Sequence, residues 1–400
     1  MSSSVNNGQS GIPRVVVILE TSFGASRSRF QGILQYVRRR GPWHLDYAVG
    51  GTGEQKIPAD SIDRYDGVIA RNPDEAVAKS LADLPVPVVL IDPEYETQKY
   101  PKLATLSQVT LDNAAVGRLA AKYFIDNGHT NFAFIEPQPP RQWALYRKQA
   151  FTEAVRAVGS TVHSFGTSPG IVFSESNRKC LAAWLEQLPK PIAVLGASDI
   201  EARHVIDACL LQGIPVPYHC AVLGVGNDLL VCQSCFPSLS SIDIHWEDAG
   251  FAAASLLDEE MKQPARAKQS LSYRPGKVVE RLSTEPGPIT DSLIIRILEQ
   301  IRLCSGFNIR VGELARELQV TRQWLEKRFK QSVGHSIMEE IQKRRFEKIS
   351  SLVGQTDLSF NEIAQLCGFQ NGTYLRTLFK KELGVTMSEY RNKARAMEQD

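Results

Sequence analysis

The sequence predicts a two-lobed α/β body built on doubly wound parallel sheets, followed by an all-α domain with two helix-turn-helix motifs. Three observations lead there. Between residue 14 and about residue 279, short runs rich in Val and Ile alternate with amphipathic stretches at helical spacing. That regularity breaks once, near residues 104–112, "ATLSQVTLD". Beyond residues 283–290, "STEPGPIT", the strand signal vanishes and only helical periodicity continues, to about residue 396.

The runs "RVVVILE", "GVIAR", "PVPVVLID", "NFAFIE", "PIAVLGAS" and "CAVLGVG" have the length and flanks of buried parallel strands. Helices are predicted between them at 27–40, 113–127, 143–158, 175–187, 199–212 and 246–262. Alternation of this kind implies right-handed βαβ units. At 104–112 the chain is expected to cross from one lobe to a second of similar size. Ligands bind at the carboxyl ends of such strands, so a crevice between two lobes is a binding architecture. The expected domains are therefore residues 13–282 and 291–396, joined by a linker at 283–290 and preceded by a disordered segment at 1–12.

Net charge is only +2, so no whole-chain field marks a partner. From Ile289 onward, however, 18 Lys and Arg stand against 14 Asp and Glu. A basic tail behind a slightly acidic body points to a polyanion. The start of the chain lacks the pattern of a secretory signal, no run is long enough to span a bilayer, and seven cysteines at scattered spacings do not form a disulfide framework. A cytoplasmic protein is expected.

The helical region repeats itself. Glu313, Leu314 and Ala315 match Glu362, Ile363 and Ala364 at a shift of 49, while Trp324, Leu325, Phe329, Lys330 and Gly334 match Tyr374, Leu375, Phe379, Lys380 and Gly384 at 50. The one-residue insertion falls in a turn. Each copy reads as a short helix, a turn of about four residues and a second helix, near 309–330 and 358–381. Ser359-x-x-Glu362 has capping-box spacing, and Gly368 can supply the unusual backbone angle of the turn. In the second copy Tyr374, Leu375, Leu378 and Phe379 are expected to pack inward. Gln370, Asn371, Thr373, Arg376, Thr377 and Lys380 then face outward, with types suited to base edges and phosphates. The first copy offers Thr321, Arg322, Gln323, Glu326, Lys327 and Lys330 in comparable places. A helix over 336–351 would span about 24 Å. With its flanks it would set two reading helices about one DNA turn apart, about 34 Å.

"FNEIAQLCGFQNGTYLRTLFKKELGVTMSEYR" resembles the arabinose-regulator (AraC) family of DNA-binding domains, and "LEKRFKQSVG" is similar to that domain's first half. The resemblance covers about residues 290–395. Two positions depart from the family pattern: Leu375 stands where Phe is usual, and Met387 where Pro is usual. Both are expected to be packing positions.

"LDNAAVGRLAAKYFIDNGHTNFAFI" (111–135), "IPVPYHCAVLGVGND" (214–228) and "FPSLSSIDI" (236–244) resemble the sugar-binding domains of the lac-repressor/periplasmic-binding-protein superfamily. Such a sensor joined to an AraC-type reader resembles bacterial regulators of pentose catabolism, as do "DIEARHV", "ERLST" and "LEKRFK". The resemblance implies a pentose effector, D-xylose, and an activator that binds a double-stranded operator as a homodimer and meets RNA polymerase there. Arg147 matches the Arg by which the superfamily grips its ligand, and Asp199 matches an acidic pocket position. Trp143 could offer an apolar face. Glu20, Arg71 and Asp92 stand at predicted strand ends of the first lobe, where ligand contact competes with helix capping or an interlobe salt bridge. Gly226 occupies the place of an expected sugar-contacting Asp, with Asn227 or Asp228 as possible substitutes.

No metal or cofactor is implied. Cys232-x-x-Cys235 lacks a second pair at zinc spacing, "GVGND" is too short for a dinucleotide fingerprint, and the seven histidines form no HxxxH pair. No nucleophile–base constellation rises above chance, so catalysis is not expected.

Overall fold

Val, Ile and Leu place six short strands at the centres of two sheets. The computed structural model describes residues 11–399 except 52–53, 56–58, 72–74, 83, 94–100, 167–174, 264–266, 286–288, 308 and 370. Residues 1–10, the middle of the expected linker, and Gln370 therefore lie outside the described residues. Two compact units divide the chain, Met1–Pro288 and Ile289–Asp400.

In the first unit, β1 (Arg14–Ile18), β2 (His44–Tyr47), β3 (Gly67–Ala70), β4 (Val88–Ile91) and β5 (Ser107–Leu111) belong to one sheet. β6 (Phe132–Glu136), β7 (Val162–Gly166), β8 (Ile192–Gly196), β9 (Cys220–Val225) and β10 (Ser240–Ile242) belong to another. The orders are β2-β1-β3-β4-β5 and β7-β6-β8-β9-β10, with every one of these pairings parallel. Each order reverses at its first strand, the switch point where doubly wound folds bind ligands. Two late strands complete the edges. β11 (Ser270–Tyr273) joins β5 in parallel, and β12 (Val278–Val279) joins β10 antiparallel.

The stretch at 104–112 is thus β5 itself, with alternating burial, and the chain crosses to the second lobe at Asp112. The chain also returns. Its helices are α1 (Gly24–Arg40), α2 (Glu75–Ala82), α3 (Pro101–Ala104), α4 (Asn113–Asp126), α5 (Gln142–Ala157), α6 (Glu175–Gln187), α7 (Asp199–Gln212), α8 (Leu229–Ser234) and α9 (Trp246–Lys262). α9 packs against α1 and over β3, β4 and β5 of the first lobe, so α9 and β11 belong there and not to the second lobe. Glycines permit that helix contact: a Cβ on Gly32 would stand 2.7 Å from the Glu247 carbonyl carbon, and one on Gly250 2.8 Å from that of Arg29. α4 and α5 meet in the same way at Gly117, where a Cβ would stand 2.8 Å from Phe151 N.

The second unit is α10 (Ser292–Leu303), α11 (Val311–Glu317), α12 (Arg322–Val333), α13 (Ile337–Gln355), α14 (Phe360–Leu366), α15 (Gly372–Leu383) and α16 (Met387–Gln399). The repeat is visible in its caps. Thr321 and Asn371 are the N-caps of α12 and α15, and Gly334 and Gly384 end those helices in the left-handed region. The Ser359–Glu362 capping box forms, and a second one joins Ser336 and Glu339 at the start of α13. Leu375 and Met387, the two departures from the family pattern, are both buried in the core around Phe379.

The turns differ in one respect. Gly368 has φ +70°, whereas its counterpart at a shift of 49, Gln319, adopts φ +55° with a side chain. A left-handed residue bearing a Cβ costs about 1–2 kcal/mol. Gln319 is exposed and its side chain supports nothing else that is evident. Gln319→Gly is therefore expected to stabilise the helical unit by about 0.5–1 kcal/mol, since the greater freedom of unfolded glycine offsets part of the gain. A rise in its urea midpoint at unchanged slope would register this.

Candidate ligand cleft and DNA-reading helices

The strand ends of the first lobe carry Glu20, Arg71 and Asp92, and each has a structural partner. Arg71 Nη1 lies 3.1 Å from Glu20 Oε2, a largely buried ion pair. Asp92, at the end of β4, holds a left-handed backbone (φ +42°). Its Oδ2 accepts from Arg29 Nη2 at 2.6 Å, Arg29 Nε at 3.0 Å and Tyr273 Oη at 2.7 Å, while Oδ1 accepts from Leu111 N at 2.7 Å. The Arg29 guanidinium lies over the Trp246 ring at 4.0 Å. Asp92 is neither a helix cap nor an interlobe bridge; it ties α1, β5 and β11 of one lobe together.

The second lobe supplies Trp143 and Arg147 from α5. Arg147 is 4% exposed. Its Nε donates to Asn113 Oδ1 at 2.8 Å, its Nη1 to the Ala197 carbonyl at 2.6 Å, and its guanidinium stacks on Trp143 at 4.5 Å. All these partners are neutral. Burial therefore pulls its pKa down to about 10, opposed chiefly by the negative charge of Asp92. Arg147 and Asp92 thus feel one another from opposite lobes.

Asp199 is also buried. Its Oδ1 accepts from Ser241 Oγ at 2.5 Å and its Oδ2 from Asp228 N at 2.8 Å. Desolvation raises its pKa to about 6, against the pull of those two hydrogen bonds. Asn227 Oδ1 accepts from Arg281 Nη2 at 2.8 Å. Asp228 Oδ1 caps α8 through Leu230 N at 3.0 Å.

Gly226 has φ +129°, a conformation that leaves little place for an Asp, and its carbonyl accepts from Trp246 Nε1 at 3.0 Å. The position serves as a junction between lobes. Sequence reading missed Arg29, Asn113, Ser241, Trp246 and Tyr273, which orient the expected residues. Only the proximity of Asn113 and Trp246 to lobe crossings could have marked them. Cys232 and Cys235 lie in the second lobe's core beside Cys209 and Cys220, and burial pushes both thiols up, Cys235 to about 11.

In the helical unit, α12 and α15 each bury two side chains of one face, Leu325 and Phe329, and Leu375 and Phe379. Tyr374 does not pack inward as expected. It is 60% exposed, with its ring against Phe369 at 5.9 Å, and its counterpart Trp324 is 42% exposed. The burying stripe of so short a helix is only two residues deep, and position 374 falls just off it. Arg322, Gln323, Lys327, Thr373, Arg376 and Lys380 are exposed. Arg322 pairs with Glu326 at 2.8 Å, and Arg376 lies 5.5 Å above Phe360. The Thr321 and Asn371 side chains accept from Trp324 N at 3.2 Å and Tyr374 N at 2.9 Å, so both are engaged as caps. α13, 19 residues long, spans about 28 Å between the two motifs.

Comparisons with known proteins agree with this architecture. Residues 121–284 match a periplasmic binding protein-like domain, and residues 314–393 a helix-turn-helix domain. The xylose operon regulatory protein of Escherichia coli (strain K12) is 32% identical over 333 residues, which are 82% of this chain and 84% of that protein. Its namesake from Haemophilus influenzae is 28% identical over the same shares. A solved xylose-binding transcription activator, xylR, superposes with a TM-score of 0.78 at 28% identity, covering 95% of this chain and 97% of that one. With a two-lobed sensor fold, paired helix-turn-helix motifs and relatives matched across both, the chain belongs to the xylose operon regulatory protein family of AraC-type DNA-binding regulators.

Proposed function

We propose that this regulator responds to D-xylose, which binds between the lobes at Arg147 and shifts a homodimer toward the operator-binding arrangement that activates transcription in the cytoplasm. The observation that carries the reading is Arg147. A buried cation whose hydrogen bonds go to the neutral Asn113 side chain and Ala197 carbonyl is poised to grip vicinal hydroxyls, with Trp143 as an apolar face beside it. Glu20, Arg71, Asp92, Asp199, Asn227 and Asp228 shape the walls, several of them through the structural bonds described above. A sugar shifts the equilibrium only if it favours one arrangement, so contacts from both lobes are required.

On DNA, α12 and α15 enter successive major grooves. Arg322, Gln323, Gln370, Asn371 and Arg376 are the proposed base readers, Asn371 in addition to its cap. Thr321, Lys327, Thr373 and Lys380 hold phosphates, giving a salt-dependent affinity. RNA polymerase is the proposed partner at the promoter.

Thermal-shift measurements against a panel of monosaccharides test the sensor. D-xylose at about a hundred times its Kd is expected to stabilise the first unit by about 2.7 kcal/mol. It should also change operator affinity measured by fluorescence anisotropy at fixed salt. A panel in which no pentose stabilises the protein would remove the ligand assignment and leave the DNA-binding function standing.

A further inference from the structure

α1 is 17 residues long, yet its N-cap is Phe23, which makes no capping bond, and its first turn contains no acid. Three helices of the same unit are supplied locally, with Asp112 capping α4, Ser198 α7 and Asp228 α8, while α5 shares the uncapped start of α1. A carboxylate from the opposite lobe approaches the start of α1. A Cβ on Gly24 would stand 2.7 Å from Asp228 Cγ and would collide with Oδ2. That carboxylate is fixed on its own side. Its Oδ1 accepts from Leu230 N, and its backbone N–H donates to Asp199. The second oxygen is left facing α1, and the approach exists only because residue 24 lacks a side chain.

We propose that Asp228 and Gly24 form an interlobe latch, in which Asp228 acts as the missing N-terminal acid of α1 and holds the lobes together before sugar binds. A carboxylate beside the first turn of a helix is attracted by the unpaired N–H groups and the positive end of the dipole. The attraction is lost when the lobes separate, so it favours the closed arrangement. A larger closed fraction raises apparent sugar affinity without any contact to sugar. Asp228 is then a positioning residue, and Gly24 is required for its reach. The inference rests on the proposed closure of the lobes, but its first readout needs no ligand.

The experiment uses the full chain with a dye pair on unnatural amino acids at the exposed positions Arg38, on α1, and Lys122, on α4. Asp228→Ser keeps a cap for α8 but is too short to reach Gly24, Asp228→Asn keeps the reach without the charge, and Gly24→Ala blocks the approach with Asp228 intact. Without ligand, Asp228→Ser and Gly24→Ala are expected to move the interlobe distance distribution away from that of the unmodified protein, with Asp228→Asn between. Saturating D-xylose should restore it, at an apparent Kd weakened about three- to tenfold. Unchanged ligand-free distributions in both Asp228→Ser and Gly24→Ala would overturn the latch. So would weakened sugar binding in Asp228→Ser alone, which would make Asp228 a ligand contact. If the unmodified protein does not bind D-xylose, the ligand reading fails while the ligand-free comparison still decides the latch.

Discussion

Arg147→Met is expected to abolish the response to D-xylose while leaving the sensor at least as stable as before. The two effects have opposite signs because the guanidinium is buried among neutral partners. Burial that pulls its pKa down to about 10 corresponds to a penalty of about 3 kcal/mol on the charged form at neutral pH. Methionine fills much of the same volume without that penalty. It leaves the Ala197 carbonyl and Asn113 short of a donor, which costs about 1–3 kcal/mol. The two nearly cancel, as they do when buried charges elsewhere are replaced by apolar groups. Affinity has no such compensation, because planar donors to sugar hydroxyls are lost outright, and a fall of at least about a hundredfold is expected. Urea unfolding and isothermal titration on one preparation read both quantities. A variant that is several kcal/mol less stable would show that Arg147 holds the lobe together instead of waiting for ligand.

Gly250→Leu is expected to be the most damaging single change in the sensor. A Cβ at residue 250 would stand 2.8 Å from the Arg29 carbonyl carbon, and Gly32 faces Glu247 as closely in the other direction. Backbone stands on both sides of the contact, so no side chain can move aside. α1 and α9 must separate, which strips Arg29 from the Trp246 ring and pulls at its bonds to Asp92. Overpacking of this kind costs about 1–3 kcal/mol where the structure can relax, and more here because the neighbours are backbone. A loss above about 3 kcal/mol in the urea unfolding of the sensor is expected, with the helical unit unaffected. A well-folded variant with an unchanged midpoint would show that the helix pair can slide.

Legibility in the sequence follows burial. β8 and β9 are completely buried and read as unbroken apolar runs. The edge strands β2, β7 and β11 are mostly exposed and carry polar residues, so no apolar run marks them. β10 is buried but begins with Ser240 and Ser241, whose hydroxyls are satisfied by Arg281, Thr284 and Asp199. Only tertiary partners make those serines fit a core, and sequence does not display them. The return of α9 to the first lobe was invisible for a similar reason, because its apolar stripe fits either lobe equally well. In the cleft, Arg147 and Asp199 are named through the resemblance to the sugar-binding superfamily, and both are buried. The residues that orient them sit at crossings, where no periodicity operates. In the helical unit the repeat marks both motifs, but Tyr374, expected in the core, is exposed like its counterpart Trp324 because it lies one residue from the buried stripe.

The three crossings between lobes have a mechanical consequence. They are bound to one another: Asp112 N–H donates to the Tyr273 carbonyl, Gly276 N–H to that of Asp243, and Asp243 N–H to that of Lys277. Three tethers laced side by side remove most of the six rigid-body freedoms that two lobes would have on a single tether. What remains is close to one rotation about the laced strip. Work done by a bound molecule then goes into a single angle, so two effectors differing by one carbon would be told apart as two stopping points of the same swing.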